Sequence, residues 1–217
     1  RARKTAGTDI EPNIEATIST TLGQWQTAFD ADIAANPSYR TATVEQTNQD
    51  KTLVNSYKEA YPTRTKVAIF NGAGARQIGD GTFTISGRYA ADNWQADTRR
   101  NDYSGQLSDD ADRLTTINEK QQQRLGELGL DYVSTTDDWK LHWLGLGLIN
   151  DARYRYKYQQ TDNNTNPLDL AYRQDRVKSE FVGRVTYGQV GDARLKPEFG
   201  VEVAKNKLDT DSKSLSN

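Results

Sequence analysis

The stretch Arg176-Val-Lys-Ser-Glu-Phe-Val-Gly-Arg-Val-Thr-Tyr187 divides its residues by parity. Val177, Ser179, Phe181, Gly183, Val185 and Tyr187 fall on one side, and Arg176, Lys178, Glu180, Arg184 and Thr186 on the other. A period of two is the signature of a strand, because successive side chains leave the backbone in opposite directions. After the short link Gly188 to Ala193 the alternation resumes, with Leu195, Phe199, Val201 and Val203 against Arg194, Lys196, Glu198 and Glu202. The two runs make a hairpin with one apolar and one charged face.

The same rhythm extends outward. Ile14, Ala16, Ile18 and Leu22 lead to Gly23-Gln24, and Trp25, Phe29, Ala31 and Ile33 lead away with Asp30 and Asp32 opposite, which predicts a tight hairpin. Ala35-Asn36-Pro37 predicts a turn into a weaker strand, Tyr39 to Gln46. Thr65, Val67, Ile69, Asn71 and Ala73 run to the turn Arg76 to Gly81, and Phe83, Ile85, Gly87, Tyr89 and Ala91 return. Leu128, Leu130 and Tyr132 precede Ser134 to Asp138. The next run, Trp139 to Tyr158, places Leu144, Leu146, Leu148, Ala152, Tyr154, Tyr156 and Tyr158 in one phase, opposite Gly145, Gly147, Asp151, Arg153, Arg155 and Lys157. Trp139 and Trp143 are out of phase with those leucines, so either a β-bulge shifts the register near Trp143 or both point inward.

Only 35% of the 217 residues are hydrophobic, little for a water-soluble core of that size. No apolar run approaches the ~18 residues of a membrane helix, so any spanning must be by strands. A barrel resolves the deficit, since its apolar band faces lipid and its interior can be polar. The expected fold is therefore all-β, a transmembrane antiparallel up-and-down β-barrel, partial, with about nine strands of a larger barrel. Residues 1–12 are expected to be a connection and 13–217 the partial barrel, with long extracellular loops near 46–63, 97–122, 159–174 and 206–217. An odd, open set cannot close, and a start at Arg1 with a polar end at Asn217 reads as an incomplete chain.

Lys plus Arg number 28 against 30 Asp plus Glu, a formal charge of -2, so nothing suggests a nucleic-acid partner. With no Cys there are no disulfides, thiolate metal ligands or thiol nucleophiles, and with His142 the single histidine a zinc or His-based catalytic site has few donors. His142 is expected at an interfacial or lumen position. Asp109, Asp110 and Asp112 lack the Gly and closing Glu of a calcium loop and read as a solvated acidic loop. Gly72-Ala73-Gly74 lies mid-strand with no following helix, so it is no phosphate loop. No enzyme, cofactor or metal site is expected.

Three residue groups are candidates for function. Tyr154, Tyr156 and Tyr158, with Leu144, Leu146, Leu148, Phe181, Val185, Tyr187, Phe199, Val201 and Val203, are expected to face lipid or form an aromatic girdle. Arg88, Asp151, Arg153, Arg155, Arg176, Lys178, Glu180 and Arg184 are expected to face the lumen, either as a basic wall for an anionic ligand or as mutually paired charges. Tyr57, Tyr61, Trp94, Arg99, Arg100 and Tyr103 combine rings and positive charge in long loops, suited to catching an aromatic or anionic ligand, or simply solvated.

The basic opening Arg1-Ala2-Arg3-Lys4, the alternating hairpin with a very short first loop at Leu22 to Gln24, and the longer loops that follow resemble TonB-dependent outer-membrane receptors from the point where their plug domain ends. The resemblance implies a barrel of about 22 strands closed by a plug, of which this chain covers roughly the first two-fifths. It implies import of a scarce nutrient such as a ferric siderophore across a bacterial outer membrane. The implied partners are outer-membrane lipid, a small-molecule ligand, the plug and the TonB energy-coupling complex. A passive porin-like channel and a soluble β-rich adhesin or binding module are the alternatives.

Overall fold

The computed structural model describes residues 2–4, 10–107, 110–162, 167–190 and 195–216. Its strands are β1 (Ala2–Lys4), β2 (Ile10–Leu22), β3 (Trp25–Thr47), β4 (Leu53–Ile78), β5 (Gly81–Ser104), β6 (Arg113–Thr135), β7 (Trp139–Asp162), β8 (Leu168–Gln189) and β9 (Glu198–Ser216). The fold is all-β. Every neighbour in sequence is an antiparallel neighbour in space, so eight long strands form one up-and-down sheet with the three-residue β1 on its first edge. The sheet is not closed, because β9 pairs only with β8 among the described residues.

Two-residue turns set the register at one end. Leu22 pairs with Trp25 across Gly23-Gln24, and Ile78 with Gly81 across Gly79-Asp80. Gly23 (φ 61°) and Gly79 (φ 59°) hold the left-handed backbone that tight hairpins need, where a Cβ would be strained. The strands are far longer than their apolar runs. The segments expected as loops near 46–63, 97–122, 159–174 and 206–217 are mostly paired strand, with Gln46 opposite Asn55, Asp102 opposite Arg113, Gln160 opposite Leu168 and Leu215 opposite Ala171. Polar strand reads as loop when only hydrophobic alternation is followed; here the ladder carries it. Residues 1, 5–9, 108–109, 163–166, 191–194 and 217, and with them parts of the expected connection, of three of the expected loops and of the link Gly188 to Ala193 together with Arg194, lie outside the described residues.

The turn expected at Ala35-Asn36-Pro37 is absent, and β3 runs straight through it with Pro37 opposite Arg64. The physical reason is position. Pairing with β2 stops at Ala34, so Pro37 sits where β3 is locally an edge and its missing N–H leaves no ladder bond unmade. Pro62 lies between two partners instead, and the β4–β5 register is interrupted there, between Ala60–Arg99 and Thr63–Ala96.

Because directly opposed residues share a face, the register sorts the whole sheet into two sides. One carries a continuous apolar band. Its lowest full row runs Leu22 opposite Trp25, then Arg76, Phe83, Tyr132, Trp143, Val185 and Val201, each opposed to the next, with Trp25 and Arg76 adjoining one step beyond the Gln26–Ala75 pair. The Arg76 guanidinium lies 5.4 Å from the Trp25 ring, and Trp25 meets Phe83 edge-on at 6.1 Å. The band rises to Ile14 on β2, Ala35 on β3, Ala68 on β4, Ala91 on β5, Gly126 on β6, Ile149 on β7, Val177 on β8 and Val203 on β9. Val203 is level with Thr27, well below Ala35, so the upper border slants across the sheet as in tilted, staggered strands.

The other face is polar beside that band, with Thr17, Asp30, Asn71, Arg88, Glu127, Leu148, Glu180 and Asn206 making one opposed row. Among the described residues no hydrophobic core lies between layers. Among the described residues the buried hydrophobic side chains are Ala96 and Tyr103, while Ile14, Ile18, Phe29, Phe70, Phe181 and Val203 on the apolar face are exposed.

This sorting corrects the expected faces. Phe181, Val185, Tyr187, Phe199, Val201 and Val203 share the apolar face, but Leu144, Leu146 and Leu148 oppose Arg184, Val182 and Glu180 and so lie on the polar one. β7 has no bulge to rescue the expectation. Trp139 and Trp143 lie on the apolar face, where Trp139 stacks on Tyr187 at 4.7 Å and Trp143 opposes Tyr132. The leucines of Leu-Gly-Leu-Gly-Leu outweigh their glycines in any hydropathy pattern, yet the glycines, between Leu128, Leu130 and Phe181, mark the apolar side.

Candidate functional site

The half of the polar face remote from the tight turns is lined by rings. Trp94 and Tyr154 both oppose Gln121, from either side, and one step further Tyr156 opposes Tyr172. Tyr154 and Tyr172 rings lie 6.1 Å apart, tilted by 55°. Tyr158 continues the same parity and donates its hydroxyl to Gln160 Oε1 at 2.5 Å, while Tyr154 donates to Glu119 Oε1 at 2.9 Å. Tyr57 and Tyr61, in phase with each other on β4, extend the wall. All these rings are half-buried. The surface offers π-faces with fixed hydroxyl and carboxylate partners, which suits a planar or aromatic ligand.

Tyr154, Tyr156 and Tyr158 were expected to join the lipid-facing leucines. They do share the leucines' face, but that face is the polar one, and they belong to the ring wall with Trp94, Tyr61 and Tyr57. No family model matches this chain, and no curated protein matches it. The wall therefore stands on its geometry.

Of the six loop candidates, Tyr57, Tyr61, Trp94 and Arg100 reach this wall, whereas Arg99 and Tyr103 have the opposite parity on β5 and lie on the other face. Tyr103 is buried there, with Lys58 Nζ 6.0 Å from its ring centre. Arg100 stacks on Tyr57, its guanidinium carbon 3.9 Å from the ring centre, and donates from Nε at 2.9 Å and Nη2 at 2.7 Å to Asp102 Oδ1. The Asp102 hydrogen bond holds the guanidinium pKa above its ordinary value, against an opposing desolvation. Arg100 therefore comes to the wall already neutralised, as a planar cap on Tyr57 rather than a bare cation.

The expected lumen charges divide between faces. Arg88, Arg176, Lys178, Glu180 and Arg184 lie on the polar face, and Asp151, Arg153 and Arg155 on the other, so no single basic wall contains them all. Several are paired: Lys178 with Glu180 at 2.5 Å, Arg153 with Asp151 at 3.2 Å and Arg155 with Asp175 at 2.7 Å. His142, on the polar face, meets Asp131 at 2.7 Å. Among the described residues no three His, Cys, Asp or Glu side chains gather as metal ligands, and Asp109 lies outside them.

Burial, then the hydrogen bond to Glu119 and its charge, push the Tyr154 hydroxyl up to about 12. In an ultraviolet titration Tyr154 is expected to ionise in the last phase, well above the ordinary tyrosine value. Glu119→Gln, which removes the charge but leaves the burial that is the larger cause, is expected to lower that last phase part of the way; an unmoved phase refutes the Tyr154–Glu119 contact.

Proposed function

We propose that this sheet is part of a transmembrane β-barrel of a bacterial outer membrane, and that the barrel is a TonB-dependent receptor importing a small nutrient captured on the ring wall. The observation that carries the membrane reading is the exposed apolar band on one face of a sheet without a core. On β3 and β5 it spans Trp25 to Ala35 and Phe83 to Ala91, close to the ~9 to 11 residues that cross a bilayer when tilted. A soluble module would have to bury that face. The aromatic residues Trp25, Phe83, Tyr132 and Trp143 border the band at the tight-turn end, as rings do at headgroup depth.

Strands of 22 to 26 residues from β3 to β8 extend roughly 70–85 Å, against a hydrocarbon core of about 30 Å. Their polar remainder projects beyond the band at the end away from the tight turns, and the ring wall lines its polar face. In hydrocarbon the outer edge of β9 would leave its backbone groups unpaired at several kcal/mol each, so closure requires further strands. The receptor assignment, the plug and the coupling to TonB rest on the sequence resemblance.

The test is energised uptake. Cells producing and lacking the full protein are compared for uptake of ferric chelates, cobalamin and oligosaccharides, with and without a protonophore. Uptake that needs both the protein and an energised inner membrane supports the receptor. Uptake insensitive to the protonophore indicates a passive channel, and release of the protein from cells without detergent ends the membrane reading.

A further inference from the structure

Glu119 stands in the middle of the ring wall. It opposes Ala96 on one side and Tyr156 on the other, Tyr156 opposes Tyr172, and Tyr154 donates its hydroxyl to Glu119 Oε1 at 2.9 Å. Trp94, Gln121, Tyr154 and Gln174 make the opposed row beneath, and Thr98, Ile117, Tyr158 and Leu170 the row above. Ala96 and Thr98 are buried and Glu119 is half-buried. Across these rows of β5 to β8, Glu119 carries the one formal charge on this face among the described residues, and it has no ion pair among them.

The cations of the same face lie outside that field. Arg100 is stacked on Tyr57 and bonded to Asp102, and Arg40 stands beyond Tyr61 on β3. Arg176 lies two steps below Tyr172, in a row whose far end is Asp92. Lys120, Arg155, Lys157 and Arg173 are close in sequence, but their parity puts them on the other side of the sheet.

A half-buried carboxylate gains from a counter-charge, and tyrosine and tryptophan faces attract cations. An anion meets two repulsions here, from Glu119 and from the negative ring faces. A neutral ring stacks but leaves Glu119 without a counter-charge. A metal ion finds too few ligands, since among the described residues no three His, Cys, Asp or Glu side chains gather. We infer that the ring wall takes a flat organic monocation, its charged ring nitrogen against Tyr156 and Tyr172 and countered by Glu119. The inference rests on the ring wall being the capture surface of the proposed receptor, and it names the substrate class.

The probes are nicotinate, nicotinamide and its ring-N-methyl cation, one ring with a negative, zero or positive charge. Their binding to the full protein in detergent is measured by isothermal titration calorimetry. The cation is expected to bind about tenfold or more tightly than nicotinamide, with nicotinate weakest. Glu119→Gln should reduce the cation-to-nicotinamide ratio to about twofold, and Tyr172→Leu should weaken the cation by roughly threefold or more. Tyr154→Phe, which keeps the ring and frees Glu119 Oε1, should keep or raise the ratio. The ranking in the unaltered protein is read whether or not a variant folds, and heat-modifiable migration identifies any variant that does not. A ratio unchanged in folded Glu119→Gln, nicotinate binding as tightly as the cation, or no binding of any probe overturns the cation site. The receptor survives each of those results if the full protein supports energised uptake of any solute. Cation preference without any energised uptake overturns the receptor and keeps the binding site.

Discussion

Phe181→Arg is expected to destabilise the bilayer-inserted protein by about 2–4 kcal/mol, the cost of an arginine near the midplane on a lipid-facing strand position. Phe181 lies in the middle of the band on β8, opposite Gly147 and Lys205, with 54% of its surface exposed. The control is Leu146→Arg. Leu146 is similarly exposed, at 43%, and neighbours Phe181 diagonally, but it opposes Val182 on the polar face, where an arginine keeps contact with water. Its cost should stay below about 1 kcal/mol. Urea unfolding of the full protein in lipid vesicles gives both numbers. Equal costs, or the larger cost at Leu146, would mean that the apolar face is not the one against lipid.

That contrast also measures what the sequence disclosed. The hairpin of β8 and β9 was legible because Val177, Phe181, Val185 and Val201 alternate with charges, so composition alone assigns the faces. The β7 strand was visible as a strand, but not its orientation. Leu144, Leu146 and Leu148 have the apolar mass, and only the pairing of Leu148 with Glu180 and of Gly147 with Phe181 shows that the glycines occupy the apolar side. That misassignment passed to the site, since Tyr154, Tyr156 and Tyr158 carry the parity of the leucines. Trp94, Tyr57, Tyr61 and Arg100 were singled out by type, yet as loop residues; the ladder that sets Trp94 level with Tyr154 consists of polar residues with no hydrophobic period to follow. Cross-strand register is non-local, and only through it does Tyr156 come to stand opposite Tyr172.

Gly81→Val is the second large expected effect, from overpacking rather than solvation. An ideal Cβ at Gly81 would stand 2.6 Å from both Cζ and Oη of Tyr132, a diagonal neighbour across the β5–β6 ladder. The ring has little freedom to retreat: its hydroxyl donates to the Ile78 carbonyl at 3.3 Å, and on its own row it stands between Phe83 and Trp143. Valine adds two methyl groups beyond that Cβ, so a loss of about 1–3 kcal/mol is expected. Gly126→Val is the matched comparison, because nothing lies within 4 Å of its Cβ position, and a change within about 0.5 kcal/mol is expected there. Adding Tyr132→Ala to Gly81→Val should recover part of the loss, as a coupling of at least about 0.5 kcal/mol in a double-mutant cycle. If Gly81→Val costs no more than Gly126→Val, or the cycle shows no coupling, the ring does not cover Gly81. If the coupling is found, the small residue at Gly81 exists to seat Tyr132 in the aromatic border, and the same relation at Gly72 under Phe29 and Gly74 under Trp25, both 3.2 Å from a ring carbon, extends it across the β3–β4 ladder.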